Sequence, residues 1–133
     1  MLKRGLIAGL ANLVVMLVMM WLIGVAFPSV MQEYKNTSIF RPFDDPLMMI
    51  YFAYPFILGF ALLYLWNILQ KNLSGDAFAK ALQFTKIIFI VATIPGMFIS
   101  YTSFQVSFLM IVMWTVTGLI EAFVAGYVFA KIK

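Results

Sequence analysis

The sequence contains neither cysteine nor histidine, and only 11% of its 133 residues are charged. The first two absences exclude disulfides, thiol nucleophiles, imidazole bases, histidine-ligated haem and the usual zinc sites. No nucleophile elbow, phosphate loop or metal-ligand cluster is present, so an enzyme is the least supported class and no cofactor is expected. Acid–base candidates reduce to Glu121 with Lys86 or Tyr64. The shortage of charge has a second meaning. With 65% hydrophobic residues, a soluble domain of this length has no way to bury its apolar surface, so the solvent is lipid. The net charge of +4 does not form a nucleic-acid-binding face. The basic residues sit mostly at the ends of apolar runs, where they set orientation and meet anionic lipid.

What is present is four apolar runs near the ~20 residues that a bilayer requires, at 6–27, 47–69, 77–101 and 105–130. Backbone in hydrocarbon satisfies its own hydrogen bonds, so each run is predicted to be a helix. The expected fold is all-α: a single domain, 1–133, of four transmembrane helices in an up-down bundle, with a long loop over 28–46. Met1-Leu2-Lys3-Arg4 resembles the start of a signal peptide, but the ~22-residue run that follows exceeds a signal h-region and reads as a retained anchor helix. Lys3, Arg4, Lys71, Lys80, Lys131 and Lys133 fall on one side, with Lys86 leaning toward it. Lys35 and Arg41 on the other side are offset by Glu33, Asp44 and Asp45. Both termini are therefore expected to be cytoplasmic. A multi-pass protein of a prokaryotic inner or plasma membrane is the expected localisation.

Local signals refine this outline. Asp76 reads as the N-cap of the third helix, and Asp44-Asp45-Pro46 as an N-cap and first-turn proline opening the second. Ser29-Val30-Met31-Gln32 reads as a capping box for a short helix ending near Asn36. A tight turn is expected at Thr102–Phe104, with kinks at Pro55 and Pro95-Gly96. The kinks leave room for an outward cavity able to take a lipid tail or hydrophobic ligand. Tyr34, Phe40, Phe43, Tyr51, Tyr54, Tyr101 and Phe104 read as an outer interfacial belt, and Trp66 and Tyr127 as the inner one. Arg41, Asp44 and Asp45 form the charged group of the loop, for which capping is the simplest role.

Glu121 is the one acid inside the four runs. At ~1.5 Å per residue it lies roughly 14 Å below the nearer membrane surface. An ionisable group at that depth costs about 2.5–3.5 kcal/mol on insertion scales and marks a site. Counting inward from the loop side puts Lys86 at nearly the same level, with Asn12, Tyr64 and Thr117 close to it. One reading is a self-satisfied cluster in which Lys86 neutralises Glu121. The other is a protonatable site for a coupling ion, a cationic substrate or a lipid headgroup. Gly118, Ala122 and Gly126 on the fourth helix and Gly5 and Gly9 on the first form small-residue ridges that predict contact between those two helices, or homo-oligomers through the same ridge. Met16-x-x-x-Met20 resembles the methionine pairs of copper-transporter helices and is the one Cu(I) candidate, while gap-filling is the commoner use of methionine. The expected role is a non-catalytic membrane subunit or interaction protein, whose partners are membrane lipid and another membrane protein. The alternatives are a proton-linked transporter or channel using Glu121, and a lipid- or hydrophobic-ligand-binding protein.

Overall fold

The computed structural model describes residues 1–133 and is entirely helical. The elements are α1 (Leu2–Ala26), α2 (Pro28–Glu33), a 3-10 helix (Pro46–Ala53) leading into α3 (Tyr54–Leu69), a 3-10 turn (Gln70–Asn72), α4 (Ala77–Ile88), a π-helical turn (Phe89–Thr93), α5 (Ile94–Ser103) and α6 (Phe108–Lys131). Four continuous helical stretches are long and apolar enough to cross a membrane: Leu2–Ala26, Pro46–Asn72, Ala77–Ser103 and Phe108–Lys131. Their outward surface suits lipid. Leu10, Ile57, Val91, Phe98 and Ile99 are all more than half exposed.

The prolines act where expected but by a different device. Pro55 has no N–H to give, so the chain changes from 3-10 to α geometry there, with Pro55 in the first turn of α3. Pro95 stands one residue into α5, and the preceding turn widens so that Ile94 N–H reaches back to the carbonyl of Phe89. The widened i→i+5 turn lies directly before Pro95, where the ring has no N–H with which to continue the ordinary i→i−4 ladder.

Three caps are set by side chains. Asp45 accepts from Leu47 N–H at 2.9 Å, Asp76 from Ala79 N–H at 2.8 Å, and Ser107 from Met110 N–H at 3.1 Å. The last displaces the expected turn. The third span runs on to Ser103, where the Thr102 hydroxyl donates back to the Phe98 carbonyl, and α6 begins only at Phe108. Ser29 caps nothing, because Pro28 already occupies the first turn of α2 after Phe27. Between α3 and α4 the chain reverses through Gly75, at φ +93°, and Gln83 closes the turn by donating to the Ser74 carbonyl at 2.7 Å.

Packing divides the bundle into two ends. At the end holding both termini, Arg4 donates to the Phe129 carbonyl at 2.8 Å, so the start of α1 lies beside the end of α6. Here Leu62, Leu63, Trp66, Leu73, Phe84 and Phe129 form a closed core in which the Trp66 ring meets Phe84 edge-on at 5.2 Å and Phe129 at 5.8 Å. Trp66 is thus a core residue, 2% exposed, and not part of a belt.

The glycines sit nearby, with partners other than those expected. Gly5 and Gly9 of α1 face Phe56, Gly59 and Phe60 of α3, and a Cβ on Gly59 would stand 2.8 Å from the Gly9 nitrogen. Gly126 of α6 faces Phe84 and Ala81 of α4, and Gly118 faces open space. The first and last helices do touch, but their glycine ridges serve two other contacts. The α1 ridge is occupied by α3 within the chain.

At the other end the loop covers the bundle. Glu33, closing α2, accepts from both the backbone N–H (2.9 Å) and the hydroxyl of Ser107. A carboxylate thus sits on the N-terminus of α6, where the helix dipole favours it. About two turns deeper, Trp114 Nε1 donates to the Tyr34 hydroxyl at 2.5 Å, and Phe40 lies edge-on to the same indole at 6.3 Å. Burial raises the Tyr34 pKa, keeping the phenol protonated. Val30, fully buried, fills the space over Val106, Met110 and Ile111.

Candidate functional site: a loop-end cavity over Glu121

The second and third spans pack on α1 and α6 more than on each other. At the terminal end their aromatic side chains close the gap. Toward the loop they part, and neither the 3-10 stretch, the π turn nor α5 contains a single buried residue. The parting leaves a cavity of about 430 Å³ whose wall takes residues from every span. α1 gives Met16, Met19, Met20 and Ile23; the second span gives Tyr51, Tyr54, Leu58 and Leu62. The third span adds Ile88, Ala92, Thr93 and Met97, and α6 adds Trp114, Thr117, Gly118, Glu121 and Ala122. A second chamber of about 530 Å³ adjoins it beneath the loop, lined by Met31, Phe40, Arg41, Phe43, Met48, Met49 and Phe52 and sharing Met20, Ile23, Tyr34, Tyr51 and Trp114.

Glu121 is 3% exposed, makes no hydrogen bond and forms no ion pair; the one salt bridge in the chain joins Arg41 to Asp45 at 2.9 Å. The expected neutralisation by Lys86 does not occur. The reason is azimuth: Ala81 and Phe84 turn the buried face of α4 toward α6, and Lys86, two residues past Phe84, points the other way and is exposed. Tyr64 fails the same test. Leu62, Leu63 and Trp66 are the buried face of α3, and Tyr64 is 70% exposed on the opposite side. Thr117 does line the cavity beside Glu121, its hydroxyl donating to the Met113 carbonyl at 2.8 Å.

Asn12 is fully buried on the α1 stripe with Gly5, Ala8, Gly9 and Met16, and neither its amide nitrogen nor its oxygen has a partner. The chain therefore holds two polar side chains in its apolar interior that it does not itself satisfy.

Gly118, assigned above to packing, is a cavity-wall residue, whereas Ala122 is both buried and on the wall. The Cu(I) candidate pair, Met16 and Met20, faces the cavity with Met19 and Met97 among hydrocarbon and aromatic neighbours. No group of three or more acidic side chains gathers where a metal ion would be held. In the loop, Asp45 caps the 3-10 helix and pairs with Arg41, and both effects, the backbone bond first, lower its pKa. Asp44 is exposed and takes no hydrogen bond.

The residues missed by the sequence reading are Glu33, Gly59 and the tyrosines at 34, 51 and 54. Tyr51 and Tyr54 are one helical turn apart with rings nearly parallel, 6.4 Å between centroids. That spacing is the available signal for a shared face.

No family model matches the chain, and no curated protein or solved structure is significantly similar to it. Function is therefore argued from the site alone.

Proposed function

We propose that this is a small multi-pass membrane protein that binds a hydrophobic ligand in the loop-end cavity, with Glu121 as the group that exchanges a proton when the ligand arrives or leaves. The carrying observation is a carboxyl group 3% exposed, without a hydrogen bond or counter-ion, on the wall of an apolar cavity of about 430 Å³. A buried charge without a partner costs several kcal/mol and is retained only where something outside the fold requires it. The cavity volume lies within the ~300–1,000 Å³ typical of ligand sites, and its walls are mostly hydrocarbon and aromatic with a few polar groups. An up-down arrangement with both termini cytoplasmic, which the cationic residues near the termini support, puts the cavity in the extracytoplasmic half of the bundle, with the closed core between it and the cytoplasm. That asymmetry suits one state of a proton-linked carrier. A role as a non-catalytic subunit, holding another membrane protein by its lipid-facing surface and loop, gives no task to Glu121 and Asn12, which have no partner within the chain.

A hydrophobic carbodiimide tests this reading, because it reacts only with protonated carboxyl groups that it reaches through an apolar route. In membranes, dicyclohexylcarbodiimide is expected to label Glu121, less so as pH rises, and not when Gly118→Phe fills the cavity. A Glu121 that stays unlabelled at every pH, or labels equally with the cavity filled, overturns it.

A further inference from the structure

Resting on that reading of Glu121, we infer that the ligand is a lipophilic organic monocation, an ammonium or similar group on an aromatic or alkyl body, bound in exchange for one proton. Three features of the lining carry this. Glu121 is its only group able to hold a charge at neutral pH, and no lysine or arginine lies on the wall. Tyr34, Tyr51 and Tyr54 are its other ionisable side chains; α1, the third span and the rest of α6 contribute none. Arg41, at the outer chamber, is paired with Asp45. The lining is therefore neutral with Glu121 protonated and singly negative with it ionised, a difference that one monovalent cation cancels and that an anion or zwitterion does not.

The second feature is the aromatic surface. Trp114 and three tyrosines line the cavity that holds the carboxylate, and the Tyr51 and Tyr54 rings are stacked. Ring faces attract organic cations, most strongly where water is scarce. The third is the remaining wall: four methionines with leucine and isoleucine, flexible and apolar, suited to the body of an amphiphile and offering no fixed oxygen cage for a hydrated metal ion. Binding balances as one proton leaving the Glu121 carboxyl group for solvent while the ligand's fixed positive charge takes its place.

The experiment uses the full chain in detergent, with benzyldimethylhexylammonium as probe and its uncharged isostere, in which carbon replaces the nitrogen, as control. Neither probe titrates, so any pH dependence belongs to the protein. The expected result is that the cation binds and releases one proton, with affinity falling up to tenfold per pH unit on the acid side. The isostere should bind more weakly and release none. Glu121→Gln abolishes proton release, and Tyr54→Leu weakens the cation roughly fivefold while leaving the isostere unchanged. If the isostere binds as tightly as the cation and Glu121→Gln alters neither, the cation inference is wrong while the cavity still binds hydrophobic ligands. If neither probe binds and Gly118→Phe changes nothing, the inference fails together with the reading beneath it.

Discussion

The two ends of this bundle are built by different rules from similar residues. At the terminal end, glycines let backbones approach until no further atom fits, and three aromatic rings fill what remains. At the loop end, proline-bearing spans part, a glycine faces open space, and aromatic side chains surround a cavity instead of filling it. Helices in lipid gain little from hydrophobic burial and associate through close packing and hydrogen bonds. Stability is thus concentrated at the terminal end, and the cavity rests on a scaffold closed beneath it.

The comparison breaks most readily at Trp66. Trp66→Ala removes the ring shared by Phe84 and Phe129 and is expected to lose about 3–5 kcal/mol, read as a drop in thermal unfolding midpoint in detergent. Next come the glycines, where similar changes should give opposite results. Gly59→Val drives a side chain into the Gly9 backbone and should cost ~3 kcal/mol, whereas Gly118→Ala meets nothing and gains ~1 kcal/mol from helix propensity. Equal losses at both positions would abolish the distinction between the ends. Glu33→Ala frees the loop from the start of α6 and is expected to cost about 1.5–3 kcal/mol, with faster hydrogen exchange over residues 28–46. Protection unchanged there would mean that Tyr34, Phe40 and Val30 hold the loop unaided.

The smallest effect belongs to Asp45. Its pKa is lowered in the folded chain by the Leu47 N–H and by Arg41, so its contribution is present above the ordinary carboxylate range and fades as pH falls through the depressed value. Asp45→Asn should therefore be slightly less stable than the parent at neutral pH and indistinguishable in strong acid. A gap that widened in acid would contradict the assignment.

Much of this architecture is legible in the order of the residues alone. Length and apolarity specify four spans, and Asp45 and Asp76 are legible caps because their side chains act within three residues. Glu121 stands out through depth alone. What depth does not contain is azimuth. Lys86 and Glu121 lie at matching levels, but which face of α4 turns inward depends on Ala81 and Phe84 meeting Gly126, a contact spanning more than forty residues. Tyr64 is misplaced by depth for the same reason. The partner of a small-residue ridge is likewise set by bundle geometry: Gly9 meets Gly59, a lone glycine that no four-residue spacing on its own helix marks. The cavity tyrosines pass for an interfacial belt until the spans are seen to part around them.

The most direct measurement is a thermal-stability double-mutant cycle on Glu121→Gln and Lys86→Met in detergent, singly and together, across pH. An unpartnered carboxyl group retained for a ligand predicts that Glu121→Gln is neutral or stabilising, and that Lys86→Met has no coupling to it. If Glu121→Gln destabilises the protein and Lys86→Met restores much of the loss, the two form a structural pair, and the cavity loses the group on which its function rests.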